Sequence, residues 1–302
     1  MNLVRALCEA EADVAALVRR GKAPSRLAEL DGQVELLDVD VAVPGEIEAA
    51  VERVRPDLAV GLVVEHAHPE TSDERLRQLE VSVLGTARLV ESLARSGCKR
   101  MVHLGSSLEY GPRSRPLRED DRLAPIVPRG AAKAAETLVC LTWARALGLS
   151  ALVLRPFSVY GPWEDETRLV PAAIRAALEC TELPLTEPGF AHDFVYVTDV
   201  VDAITLALGA PAELDGLIFN IGTGIQTTNE DLVAAVGRVV RRKIRVLPGM
   251  FQAHTHDCPS WVADNDRARQ ELGWKPTTGL EAGLRLTISW LDARARAGHG
   301  TA

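Results

Sequence analysis

The chain has 302 residues, 47% of them hydrophobic and 25% charged, the balance of a globular protein with a real core. Its net charge of −8 and the lack of a basic tract argue against nucleic acid or an anionic membrane as partner, while leaving room for an anionic small molecule in a local pocket. No apolar run is long enough to span a bilayer and no signal peptide is evident, so a cytoplasmic location is expected.

In chain order the pattern predicts a helix over 2–11, strands over 13–18 and 34–40, a helix over 44–54 and a strand over 58–64. A helix over 73–97, a strand over 100–106, a helix over 129–147 and a strand over 151–157 follow. Apolar strands alternating with amphipathic helices at this spacing mean βαβ units and a doubly wound parallel sheet over 1–160. Beyond it, strands over 193–197 and 217–222, a helix over 228–240 opened by an Asn or Thr cap, and helices in "DNDRARQELGW" and "GLEAGLRLTISWL" predict a smaller α/β lobe over 161–302, its boundary interleaved with the first. A ligand cleft is expected between the lobes. The five cysteines, Cys8, Cys98, Cys140, Cys180 and Cys258, are scattered without a C-x-x-C, which suits buried thiols in a reducing compartment.

Seven segments fall in one order and spacing: "LEVSVLGTARLVESLARSG", "VHLGSSLEYG", "AAKAAETLV", "LRPFSVYGP", "HDFVYVTDVVDAI", "FNIGTG" and "ARQELGWKP". Together they resemble the extended short-chain dehydrogenase/reductases of the nucleotide-sugar epimerase/dehydratase type, almost end to end. The resemblance implies a Rossmann-like domain holding NAD or NADP, a C-terminal substrate lobe holding a nucleotide diphosphate sugar, and a homodimer formed through the helices at 73–97 and 129–147.

Two departures stand out. Met1 begins inside what corresponds to the first helix, so the family's first strand and its glycine-rich turn, which cradles a pyrophosphate, are not in this sequence. The expectation is a translation start upstream of Met1; the rival is a natural truncation with weak cofactor binding. The family's tyrosine, one helical turn before Lys133, is here Arg129. Arginine stays protonated and cannot serve as the base. Either Arg129 is a solvated residue of an enzyme that lost activity, or it clamps a phosphate or carboxylate. Tyr110, Tyr160 and Tyr196 each belong to another motif.

By resemblance the candidate catalytic positions are Ser106, Lys133 and Arg129, with Ser106 bonded to the reacting sugar oxygen and Lys133 to the cofactor ribose. Ser107 and Leu108 stand where the dehydratases carry an acid pair, which disfavours elimination of water. Candidate cofactor contacts are Asp38 and Val39 at the adenine, Leu62, Val63 and Val64 beneath the cofactor, and Arg19 and Arg20, whose guanidinium groups suit the 2′-phosphate of NADP. Candidate substrate contacts are Ser107, Ser158, Val170 and His192. Asp193 and Asp199 read as structural caps. "HTHDC", with His254, His256, Asp257 and Cys258, has zinc-ligand types but no second ligand group, so no metal is expected.

The leading reading is an epimerase- or ketoreductase-like protein acting on a nucleotide sugar by hydride transfer. The alternative is a non-catalytic family member serving as a binding or assembly protein.

Overall fold

The computed structural model describes residues 1–19, 25–30, 32–63, 69, 71–253, 255 and 257–296. Helix α1 (Asn2–Glu9) leads into strands β1 (Val14–Val18) and β2 (Val34–Asp38), then α2 (Glu46–Val54) and β3 (Leu58–Gly61). Next come α3 (Ser72–Leu79), α4 (Gly85–Ser96), β4 (Arg100–Leu104), α5 (Pro128–Leu147) and β5 (Ser150–Pro156). The sequence signals these ends: Thr71 and Glu74 form a reciprocal capping box on α3, Pro128 opens α5, and Gly97 and Gly148 close α4 and α5 in the left-handed conformation. The single helix expected over 73–97 is interrupted by one wide π-turn over 80–84, which buries Val81 and Ser82.

The second half continues with β6 (Ser158–Tyr160), α6 (Leu169–Glu179), β7 (Glu182–Pro184), β8 (Ala191–His192), β9 (Phe194–Tyr196) and α7 (Val197–Leu208). It ends with β10 (Ile218–Ile221), β11 (Thr227–Thr228), α8 (Asn229–Val240), β12 (Arg245–Leu247), α9 (Asp266–Gln270) and α10 (Leu280–Arg296). Thr228 is the residue that caps α8, accepting the Asp231 N–H at 3.0 Å.

The main sheet runs β10-β5-β4-β3, all parallel, and every residue of β4 is buried, as expected for a parallel sheet covered on both faces. β1 and β2 pair with each other in parallel, but no ladder joins β1 to β3 among the described residues. The parallel sheet therefore stands in two pieces, held together by side-chain packing. Leu3, Ala6 and Leu7 of α1 pack with β4, β5 and α7 on one face. Leu37 and Val39 pack with α2, α4 and α5 on the other. β10 and α7 return to this sheet from the second half of the chain. The smaller lobe buries α6, α8 and α10 around β7 and β9. Among the described residues, no helix is long and apolar enough to cross a membrane.

All five cysteines are free, but only Cys98, Cys140 and Cys258 are buried; Cys180, expected inside, is exposed in the left-handed residue that ends α6.

Candidate functional site

β4 ends at Leu104, and after Gly105 the chain turns at Ser106 into a short 3₁₀ turn over 107–109. The Ser106 Oγ accepts the Leu108 N–H at 3.2 Å, and the Ser106 N–H donates to Glu109 Oε1 at 2.8 Å. Glu109 is fully buried and receives Thr137 Oγ1 at 3.1 Å and the Arg155 guanidinium at 2.7 and 2.9 Å. Arg155 also donates to the Tyr110 hydroxyl at 2.8 Å, and that hydroxyl donates to Asn220 Oδ1 at 2.7 Å. This network fixes the turn beneath Ser106. The Ser106 hydroxyl proton has no acceptor of its own among the described residues and is available to a ligand.

Ser106 opens onto a cleft of about 810 Å³ between the lobes. Ser106–Leu108 and Val127–Arg129 form one wall, Thr167–Leu169 and Arg175 a second, and Thr181–Thr186, Asn229 and Phe251 a third. Ser158, His192, Asp257 and Trp261 also line it. Ser107 Oγ accepts the Trp261 indole N–H at 3.0 Å, so this serine is committed in part to the wall. His192 stacks edge-on against Phe194 and has Nε2 3.9 Å from Asp257 Oδ1. Val170 does not fit its expected role: it is 1% exposed, packed in the core of the second lobe, because α6 turns it inward while Arg168, Leu169 and Ala172 face the cleft.

Arg129 lies in the first turn of α5 on the cleft wall. Gly130 beside it lets α5 press on the 3₁₀ turn: a Cβ there would stand 2.5 Å from the Leu108 carbonyl oxygen. Burial, and then the field of Arg168, lowers the Arg129 pKa, yet it remains a cation. Its Nε is buried without a hydrogen-bond partner. No tyrosine substitutes for it. Tyr110, Tyr160 and Tyr196 are at most 4% exposed, and burial pushes each phenol above its ordinary range. Tyr110, the natural stand-in, is spent between Arg155 and Asn220.

Of the expected cofactor residues, Arg19, Asp38, Val39, Leu62 and Val63 are described, each at or just beyond the C-terminal end of a parallel strand. Arg19 follows β1, exposed; burial opposes ionisation of the nearby Asp40 carboxyl, but the Ala42 N–H, then Arg77 and last the charge of Arg19 hold it low. Asp38, exposed, ends β2 opposite Val18. The Val39 side chain is buried and its N–H donates to the Val18 carbonyl at 2.8 Å, which leaves little of this residue for a ligand. Leu62 is 53% exposed after β3. Arg20, Val64, His66, His254 and His256 lie outside the described residues. Among the described residues, no cluster of His, Cys, Asp or Glu could hold a metal ion.

Lys133 is the main departure from expectation. Its ammonium donates to the carbonyls of Val63 at 2.8 Å and Leu104 at 3.1 Å, and to Glu136 Oε2 at 2.7 Å. Three donors meet three protein acceptors. Glu136 is fully buried, and His103 Nε2 lies 3.3 Å from the same oxygen. Burial alone would raise the Glu136 pKa, but His103 and the charge of Lys133 outweigh it and hold the carboxyl low. This carboxylate, three residues beyond the lysine, was not singled out from the sequence; its i, i+3 spacing is the signal that could have found it.

Asp193 and Asp199 have the structural roles expected of them. Asp193 accepts from the N–H groups of Thr223, Gly224 and Ala263, and Asp199 from those of Thr277 and Thr278.

Residues 1–222 match the sequence profile of the NAD dependent epimerase/dehydratase family. A UDP-glucose 4-epimerase of Mycolicibacterium smegmatis is 29% identical over 275 residues, covering 89% of this chain and 86% of that protein. Among solved structures, the UDP-glucose 4-epimerase of Thermotoga maritima with UDP-glucose superposes with a TM-score of 0.86 at 25% identity, covering 97% of this chain and 95% of that one. MoeE5 in complex with UDP-glucuronic acid and NAD gives 0.84 at 27% identity, with coverages of 97% and 95%.

Proposed function

We propose, from the premise that this chain belongs to the NAD-dependent epimerase/dehydratase family, that it modifies the sugar of a nucleotide diphosphate sugar as an epimerase- or ketoreductase-like enzyme. The observation that carries the reading is the inter-lobe cleft with Ser106 on its wall, fixed from below by the buried Glu109–Arg155 pair. The flat apolar face of Phe251 and the strand-like segment 181–186 suit a nucleoside, which leaves the sugar at the Ser106 end. There the Ser106 hydroxyl donates a hydrogen bond to the oxygen on the sugar carbon that loses or gains the hydride. Ser158 and His192 flank the ligand.

The strand ends fit a nicotinamide dinucleotide in their donor set. Asp38 is free for an adenine amine, Leu62 and Val63 form a floor, and Lys133 faces a ribose once it gives up one of its three protein acceptors. When bound, that group would supply the hydride acceptor and donor. Arg19, with Arg20, favours NADP over NAD through a 2′-phosphate. The chain itself contributes position and hydrogen bonds rather than a phenolic base, since Arg129 cannot accept a proton and all three tyrosines are buried; the hydroxyl proton that leaves with the hydride passes to water in the open cleft. We further propose a cytoplasmic homodimer with no nucleic-acid or membrane partner.

The test is calorimetric binding of UDP- and dTDP-hexoses, then nicotinamide absorbance and product analysis with NAD and with NADP. The expected result is binding of the nucleotide sugar, and turnover that falls about a hundredfold in Ser106→Ala. Failure of every nucleotide sugar to bind at millimolar concentration would overturn the reading. Binding of sugar and cofactor with no hydride transfer would favour the non-catalytic alternative. A lack of NADP preference, or a preference unchanged in Arg19→Ala, would remove that assignment alone.

A further inference from the structure

The cleft wall carries a cation that the buried Glu136 compensates only through its field. Arg168 and Arg175 line the second wall, and each has a carboxylate: Glu164 at 3.0 Å from Arg168, and Glu166 at 3.7 Å from Arg175. Glu182 on the third wall is held by Arg245. Arg129 has no such partner among the described residues. Its Nε is cut off from solvent without an acceptor, and a second guanidinium, Arg168, stands close enough to add to its cost. A guanidinium cannot relieve this by losing its proton, as a lysine or histidine would. Burying a charged donor without an acceptor is unfavourable, and none of the described residues supplies one, so the acceptor that completes the site comes from a ligand at the Nη groups, the part of this guanidinium that stays open to the cleft.

Its position narrows what that acceptor is. Arg129 adjoins the 106–108 turn, at the end of the cleft assigned above to the sugar, and lies on a different wall from the 181–186 segment assigned to the nucleoside. We propose that Arg129, seconded by Arg168, receives a carboxylate carried by the sugar itself, so that the substrate is a nucleotide-linked acidic sugar in preference to its neutral counterpart. This rests on the nucleotide-sugar reading of the cleft. A planar guanidinium meets a carboxylate through two parallel N–H···O bonds, and one such charge-assisted contact accounts for a tenfold preference or more. The acidic groups nearest the pair are Glu164, bonded to Arg168, and Glu136, buried beneath Lys133; neither takes the Arg129 Nε.

The test is calorimetry with UDP, UDP-glucose and UDP-glucuronate on the full chain and on Arg129→Gln, Arg129→Lys and Arg168→Gln, each checked for an unchanged thermal melt. The expected result is tighter binding of UDP-glucuronate than of UDP-glucose by about tenfold or more, reduced to within about twofold in Arg129→Gln, with UDP itself unaffected. A preference lost in Arg129→Lys as in Arg129→Gln would support a planar two-point contact, and one retained in Arg129→Lys would support recognition by charge. Equal binding of the two sugars by the unaltered chain would overturn the proposal while leaving the nucleotide-sugar reading intact. Equal weakening of all three ligands in Arg129→Gln would also overturn it, because the anion would then be the diphosphate. If none of the three ligands binds the unaltered chain, nor any dTDP-sugar, the cleft assignment itself has failed. An Arg129→Gln chain that does not melt like its parent leaves the decision to Arg168→Gln and to the two sugars on the unaltered chain.

Discussion

Arg155 is 1% exposed and divides its guanidinium between the Glu109 carboxylate and the Tyr110 hydroxyl. Removing it strands a buried carboxylate directly under Ser106. Arg155→Met should cost about 3–5 kcal/mol of stability, read from urea unfolding. A loss below about 1 kcal/mol would show that the network is not holding the turn. Glu164 behaves differently. Burial, opposed by Arg168, pushes its carboxyl up to about 7. Its folded pKa then exceeds the ordinary 4.5, so the folded state binds the proton more tightly. The contribution is complete below 4.5 and is lost as the pH rises through 7. Glu164→Gln should therefore gain on its parent, by on the order of 1–3 kcal/mol, between pH 4.5 and pH 8. A mutant–parent difference that does not change with pH would refute the assignment.

α4 and α5 leave apolar side chains uncovered: Leu84 at the start of α4 is 49% exposed and Leu138 on α5 is 60% exposed, with Leu76 and Leu79 of α3 nearby in sequence. If these helices form the dimer contact, Leu84→Arg with Leu138→Arg should convert a dimer into a monomer by light scattering, with the far-ultraviolet spectrum unchanged. A parent that is already monomeric at micromolar concentration would sink the idea. Reading such elements from sequence worked where propensity and burial agreed, as in β4, β5 and α5. It missed α6, whose Pro171 looks like a breaker but sits in the first turn, where its missing N–H costs nothing. It missed α7 because "VTDVVDAI" is rich in β-branched residues, and packing onto β4 and β5 overrides that preference. Ser106 and Arg129 were legible as cleft residues. The capture of Lys133 was not, because two of its three acceptors are carbonyls 29 and 70 residues away, which no local pattern reports.

On the scale of the whole molecule the divided sheet sets the order of stability. β4 and β5 have neighbours on both sides, whereas β1 and β3 each pair on one side only among the described residues. Amide hydrogen exchange should be slowest in β4 and β5, and faster in β1 and β2 by about tenfold or more. Uniform protection across both pieces would mean that side-chain packing alone makes them one cooperative unit. The Trp261–Ser107 contact has an optical consequence. Of five tryptophans, Trp274 is sealed in the core with its N–H on the Asp199 carbonyl, and Trp163 packs at a tilt against Trp290 beneath Arg294. Trp143 sits on α5, away from the cleft lining, while Trp261 is the indole that faces it. The chain therefore carries its own reporter: a ligand that disturbs the Ser107 bond should shift or quench the emission of one indole against a nearly constant background of four. The signal should vanish in Trp261→Phe while calorimetric binding persists, giving a label-free readout of occupancy at the sugar end of the cleft.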